Sequence, residues 1–157
     1  MKGLNEYITV AALMAIAISV LIITLEFIKP LIEKSKDNFV INEAMYNIHR
    51  IVDNILEISS EGQGSRRSLE IKVTEGNYMF DKNTETINFT YVLNSDLSFS
   101  GYKDKINITT EGKIVKMFVK IDNVDFLNNH IINKGDNSVT LVYDSFDGSV
   151  IKISITT

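Results

Sequence analysis

The sequence predicts an α+β protein in which one long N-terminal helix, membrane-spanning and then amphipathic, is followed by an antiparallel β-sheet or sandwich. Three observations predict this class. Residues 7–25 are uncharged and largely apolar, and apolar residues then recur at three- and four-residue steps up to Ile58. From Leu69 onward they alternate with polar residues. The change of period from 3.6 to 2 separates a helical rod from a β-rich region.

Composition narrows the functions open to this chain of 157 residues. It contains no Cys, which excludes disulfides, thiolate catalysis and Cys-ligated metals. Its 16 basic and 20 acidic residues give no positive excess of the kind that nucleic-acid binding requires. His49 lies one helical turn from Asp53, which is typical of a surface contact, and His130 has no second ligand at metal-binding spacing. We therefore expect no enzymatic activity, no cofactor, no metal site and no nucleic-acid partner.

The first predicted element is a transmembrane helix over residues 4–29. At about 1.5 Å per residue, the uncharged stretch 7–25 reaches roughly 28 Å, enough to cross a hydrocarbon core. A secretory signal would end in a small-x-small cleavage site, whereas Glu26 and Lys29 follow this stretch. We therefore predict a retained membrane helix.

The second element is an amphipathic continuation over residues 30–60, predicted to bend at Pro30 because proline removes a backbone hydrogen bond. The helix is expected to end near Ser60, ahead of Gly62 and Gly64. Its apolar stripe is predicted to pack against neighbouring copies or to cover one face of the chain's own sheet. Where both uses coexist, the residues from Ile48 onward are expected on the sheet and the earlier residues on partner copies. The stripe consists of Ile41, Ala44, Met45, Ile48, Ile51, Val52, Ile55 and Ile58, and the opposite, polar side of Asn42, Glu43, Asn47, Arg50, Asp53, Asn54 and Glu57.

Residues 61–157 are predicted to form an antiparallel β domain with short strands. Two turns are expected, one at Glu75-Gly76-Asn77 and one at residues 81–84, where Asp81 begins a hairpin turn. Residues 126–132 fit either a strand or a short helical turn. The strands are predicted over residues 69–73, 78–80, 87–91, 97–102, 106–110, 113–121, 139–143 and 150–156.

Two N-x-Thr motifs mark Asn88 and Asn107 as candidate N-glycosylation sites, each on the polar side of a predicted strand. Glycans there would require an external β domain. The lysine distribution favours the opposite orientation, with the β domain inside the cell. Basic residues favour the cytoplasmic side of a membrane helix, and here Lys2 alone precedes the helix whereas three lysines lie in residues 29–36.

The N-terminal pattern resembles that of archaeal type IV pilins with a class III signal peptide: Lys2-Gly3 followed directly by Leu4, an acidic Glu6, and then the apolar run. The resemblance implies a three-residue leader, cut between Gly3 and Leu4 by a prepilin-type peptidase. It implies that Glu6 pairs with the terminal amine of a neighbouring subunit, because a carboxylate in hydrocarbon is costly unless paired. It further implies assembly with other pilin-like subunits into a cell-surface filament, with the β domain extracellular.

Glu6 would be the third mature residue, where pilins usually place the acidic residue fifth. Two other hypotheses therefore stay open. One is an uncleaved, monomeric binding module tethered by the helix, and the other is an accessory protein of a membrane complex with its β domain facing inward.

Overall fold

The computed structural model describes residues 2–156, and the side chains from Tyr7 onward. One helix, α1, runs over Lys2–Glu61 and continues through Pro30. It ends where Gly62 and Gly64 adopt positive φ angles of 102° and 90°, which favour glycine and stop a helix. The predicted helix end near Ser60 is confirmed.

Ten strands follow, arranged as predicted in an α+β fold. The chain passes from α1 into the first strand through a short Gly/Ser segment, and all further connections between strands are loops or turns. The strands are β1 (Arg66–Val73), β2 (Asn77–Asp81), β3 (Thr86–Val92), β4 (Gly101–Lys103), β5 (Ile106–Glu111), β6 (Ile114–Lys120), β7 (Val124–Phe126), β8 (His130–Ile132), β9 (Gly135–Phe146) and β10 (Ile151–Thr156).

The strands form two sheets. Sheet A has the order β1-β9-β10-β7, and sheet B has the order β4-β5-β6-β3-β2-β8. Every neighbouring pair is antiparallel except β7 and β10, which run parallel. The prediction of antiparallel pairing is therefore wrong for this pair, because the chain leaves sheet B after β6 and adds β7 to the edge of sheet A before returning to sheet B as β8.

Two local predictions need correction. The segment 97–102 was expected to be a strand, but only Gly101–Lys103 pairs. Ahead of it, Phe99 exchanges both backbone hydrogen bonds with the Thr110 hydroxyl, so a side chain replaces the ladder. The ambiguous segment 126–132 contains the end of one short strand and all of another, one in each sheet.

A single hydrophobic cluster holds α1 and both sheets together. The alternating strand residues face it as the period of 2 predicts; for example, Ile87, Phe89 and Tyr91 of β3 are buried. The helix contributes the apolar stripe, of which Ile48 and Ile55 are completely inaccessible to solvent. The second half of α1 is therefore a core element of a β-rich head, defined here as residues 61–156 with the helical residues packed on them.

The turn between β1 and β2 tests this packing. Gly76 has φ +83°, and a Cβ there would lie 2.6 Å from the Thr90 carbonyl oxygen and 2.8 Å from the Phe89 ring. Gly148, between β9 and β10, has a similar φ of +94° with open space around it. We expect Gly76→Ala to lower the free energy of unfolding by about 2 kcal/mol more than Gly148→Ala, because both substitutions strain φ but only the first meets backbone.

Urea unfolding of the detergent-solubilised full chain, followed by circular dichroism, measures the difference. Equal losses for the two variants would contradict the tight packing of this turn.

Candidate functional site: the anchoring helix and its junction with the head

The first half of α1 stands free of the head. Residues 7–32, named here the anchor segment, are all exposed, and no residue of their most apolar 18-residue window is buried. The helix is long and apolar enough to cross a membrane. Its large exposed side chains include Tyr7, Ile8, Val10, Leu13, Met14, Ile16, Ile18, Val20, Leu21, Ile22, Ile23, Leu25, Phe27, Ile28, Leu31 and Ile32.

Two hydroxyl groups within the anchor segment are satisfied by the helix backbone. The Ser19 hydroxyl donates to the Ala15 carbonyl at 2.8 Å, and the Thr24 hydroxyl donates to the Val20 carbonyl at the same distance. Such bonds to the preceding turn remove the cost of placing a hydroxyl in hydrocarbon. Over residues 7–25, which carry no charge, the exposed and largely apolar surface is unfavourable in water and favourable in lipid or against other apolar helices.

The predicted leader site and pairing carboxylate lie at the start of α1. The backbone of Gly3, Leu4 and Glu6 is helical, but their side chains lie outside the described residues. Cleavage between Gly3 and Leu4, and pairing of Glu6 with a neighbouring amine, therefore stay predictions.

The prediction that the early part of the apolar stripe packs on partner copies is wrong. Ile41 and Ala44 are buried in the head together with Ile48, and they belong to the same hydrophobic cluster as strand residues of both sheets. In this half of α1, Phe39 and Tyr46 point outward and are 58% and 62% exposed. Being seven residues apart, they lie on one face of the helix.

Asp37 joins α1 to the head, which sequence reasoning missed. Its carboxylate has no solvent exposure and accepts hydrogen bonds from three residues at the end of β3 and in the loop after it. Oδ1 accepts from the Tyr91 hydroxyl at 2.7 Å and from the Asn94 amide side chain at 3.1 Å. Oδ2 accepts from the Ser95 backbone N–H at 2.8 Å and the Ser95 hydroxyl at 2.6 Å, and the Asn94 backbone N–H reaches both oxygens at 3.1 Å.

These bonds decide the charge of the buried group. Burial by itself opposes ionisation of Asp37, but the donors from Ser95, Tyr91 and the two backbone N–H groups outweigh it and hold the pKa of Asp37 well below its usual range. The pKa of Tyr91 is raised above that of a free tyrosine, mainly by burial and next by its hydrogen bond to the Asp37 carboxylate. Asp37 is therefore an anion that is satisfied by hydrogen bonds and not by a cation.

A second set of helix side chains covers the free edge of sheet A. Strand β1 pairs only with β9, so its other edge would present unpaired backbone groups. The Asn47 amide donates to the Lys72 carbonyl at 3.0 Å, and the Arg50 guanidinium donates to the Glu70 carbonyl at 3.1 Å. The Glu43 carboxylate accepts from the backbone N–H and hydroxyl of Thr74 at 2.9 and 2.6 Å.

Asn47 corrects another prediction, because it was placed on the solvated side of the helix and is instead buried. Besides its bond to β1, its amide lies 3.1 Å from the buried Tyr78 hydroxyl. Burial raises the pKa of Tyr78, and it outweighs the hydrogen bond from Asn47, which by itself would lower that pKa. One helix side chain thus binds strands of both sheets.

The candidate catalytic and metal-binding residues do not assemble into a site. His49 approaches Asp104 at 3.8 Å, and both side chains are substantially exposed. They line a cavity of about 120 Å³ whose floor includes Val52 and Ile106. Within residues that the structure describes, no three His, Asp or Glu side chains are placed to hold a metal ion. Asp81 forms the predicted hairpin turn, accepting from the Asn83 N–H at 2.8 Å and the Thr84 hydroxyl at 2.9 Å.

The candidate glycosylation residues lie on the outer face of sheet B. Asn88 in β3 and Asn107 in β5 are half-buried, and the buried residues on either side of each point into the core. The polar side of the alternation was predicted correctly at both positions.

Comparison of the chain with protein-family models, with curated proteins and with solved structures finds no match. The features of this chain that bear on function are the anchor segment, its junction with the head, and the surface of the head.

The junction predicts a large effect of one substitution. Asp37→Asn removes the negative charge and turns one acceptor oxygen into an N–H donor that faces other donors, so we expect a loss of roughly 3–5 kcal/mol in the free energy of unfolding at pH 7. Asp53→Asn, at an exposed position on the same helix, is the matched control and should change it by less than about 0.5 kcal/mol. Urea unfolding measures the stability of both variants. A similar small change in the two would contradict a stabilising role of the buried Asp37 carboxylate.

The same carboxylate predicts a pH dependence. Because its pKa is depressed in the folded state, its contribution is fully present above the unfolded pKa of about 3.9 and is lost as pH falls through the folded value. The stability difference between the native chain and Asp37→Asn should therefore narrow as pH is lowered from 5 toward 2. A difference that stays constant over this range in urea unfolding would show that the Asp37 charge contributes nothing.

Proposed function

We propose that this protein is a non-enzymatic, membrane-anchored, pilin-like subunit of an archaeal cell-surface filament or related surface structure. The observation that carries the proposal is the division of α1: one continuous helix is exposed over residues 7–32, with no charge over 7–25, and is built into the core of a β-rich head from Val40 to Ile58. This division suits a subunit that is held by lipid, or by other helices, at one end and displays a folded head at the other.

Assembly in this proposal depends on the anchor segment. The stripe from Ile41 to Ile58 is occupied within the subunit, so it is not available to partner copies. Lateral contacts between subunits would use the bare residues 7–32, and the outward Phe39 and Tyr46 would extend the same apolar surface beyond the membrane. Tyr46 also lies under the Arg50 guanidinium, at 5.7 Å from the ring centre.

The junction would transmit force between the two ends. Asp37 lies five residues beyond the anchor segment and is fixed to the loop after β3 by charge-assisted hydrogen bonds. Lys36 and Lys134 both contact the Glu75 carboxylate, at 3.2 and 2.9 Å, which adds a surface tie between the helix and the turn after β1. Such ties would make the rod and head move as one body.

The proposed topology is a single pass with residues 61–157 outside the cell. The candidate glycosylation sites Asn88 and Asn107 favour this side. The lysine distribution around residues 7–25 favours the other, so topology is the first property to be measured.

The test is made on the full chain in membranes of the organism that produces it. We expect detergent to be required for extraction, externally added protease to digest the head on intact cells, and the intact mass to correspond to a chain beginning at Leu4, without Met1 to Gly3. Gly3→Val should retain the leader because the peptidase no longer finds its glycine. Ser19→Ala, a small change inside the anchor segment, is the control and should be processed normally.

The outcomes separate the competing hypotheses. An external head on a chain that still begins at Met1 or Lys2 would identify the uncleaved tether, and a head reached by protease only after the cells are opened would identify the inward-facing accessory protein. Release of the full-length chain in soluble form without detergent would contradict all three. Electron microscopy of surface filaments, present in the native strain and absent when the chain is deleted, tests assembly itself.

A further inference from the structure

The two N-x-Thr motifs, 19 residues apart in sequence, are brought into register by sheet B. Asn88 of β3 pairs with Phe118 of β6, and Asn107 of β5 pairs with the same Phe118 from the other side. Two residues further along each strand, Thr90 and Thr109 flank Lys116 in the same way. Of the 15 Asn residues in the chain, only these two begin an N-x-Thr or N-x-Ser motif.

The arrangement repeats one motif on both sides of a single strand. Since β3 and β5 both run antiparallel to β6, they run in the same direction, and the two motifs are related by a translation across the sheet. Neighbouring strands lie about 4.8 Å apart, so the two Asn residues are roughly 10 Å apart on one face. The middle residues of the motifs, Phe89 and Ile108, are buried, so both Asn and both Thr side chains lie on the outer side.

The row that contains both Asn residues is otherwise apolar. It crosses all six strands of sheet B, and Phe118, at its centre, is 38% exposed. The neighbouring rows are polar, with Thr90, Lys116 and Thr109 on one side and Thr86 and Lys120 on the other. In strand order from β4 to β8, the row consists of Tyr102, Asn107, Phe118, Asn88, Met79 and Ile131.

We propose that Asn88 and Asn107 are a paired N-glycosylation site and that the two glycans cover Phe118 and the apolar row around it. The inference rests on the external head of the proposed function. An oligosaccharyltransferase would act on Asn88 before the strands pair, because in the folded head the Asn88 amide donates to the Thr86 hydroxyl at 3.0 Å. The folded sheet then accommodates both sugars, since each Asn faces outward and the core is untouched.

The transfer needs a lipid-phosphate-linked oligosaccharide as co-reactant. A bond forms between Asn Nδ2 and the anomeric carbon of the sugar, while the bond between that carbon and the phosphate oxygen of the lipid carrier breaks. The phosphate leaves with the electron pair, and the amide loses one proton. Sugar rings present C–H groups on one face, which suits contact with the exposed ring of Phe118.

The experiment is peptide mapping and intact mass measurement of the full chain, isolated from membranes of the organism that produces it. We expect a sugar adduct on both Asn88 and Asn107. Asn88→Gln and Thr90→Val should each remove one adduct, and Asn107→Gln and Thr109→Val should each remove the other. The Thr→Val variants keep the strand shape and the Asn, so a folding defect of an Asn variant leaves the test intact. Asn77→Gln, next to Thr90 in register but outside any motif, is the control and should retain both adducts.

Protease accessibility of the head in the same cells keeps this inference separable from the proposed function. If the head is digested from outside and either Asn is unmodified, the paired site is wrong while the external topology stands. If the head is protected and both Asn residues are unmodified, the external topology fails and the glycosylation site fails with it.

Discussion

A single carboxylate, Asp37, fixes α1 to the folded head beyond the exposed first part of the helix. A buried charge is tolerated only where donors surround it, and here the donors come from Tyr91, Asn94 and Ser95, more than fifty residues away in sequence. The position of α1 along the head is thereby fixed: sliding the helix by one residue would leave the carboxylate unpaired and would also misplace the Asn47 amide against both sheets. The rest of the structure depends on this alignment.

The alignment divides one helix into an exposed first half and a second half that is built into the core. Beyond Asp37, the helical stripe completes a core that two sheets share, and before it residues 7–32 are all exposed and residues 7–25 carry no charge. The helix also protects the open edge of sheet A, because Glu43, Asn47 and Arg50 occupy the backbone groups of β1 that would otherwise recruit another strand. Association through β1 is thus disfavoured.

Much of the fold was predictable from local pattern. The long apolar helix, its amphipathic continuation, the end near Ser60, and the two turns at Gly76 and Asp81 follow from periods of 3.6 and 2 and from turn residues, which act over a few neighbouring positions. The errors fall where distant residues intervene. Residues 97–100 are not a strand because the preceding loop is held by Asp37 and because Thr110 binds the backbone of Phe99. The parallel pairing of β7 with β10 has no local signal, since strand direction within a sheet depends on the path of the whole chain.

The candidate sites divide in the same way. The sequence by itself determined the anchor segment, the outward positions of Asn88 and Asn107, and the resemblance at Gly3, Leu4 and Glu6, because each is a property of adjacent residues. Only the tertiary structure decided that Asp37 and Asn47 are buried and that the stripe from Ile41 is used within the subunit. It also decided that the two glycosylation motifs flank one strand. The physical reason is that burial and register depend on which surfaces meet, and the strands that cover α1 and align the motifs lie far from them along the chain.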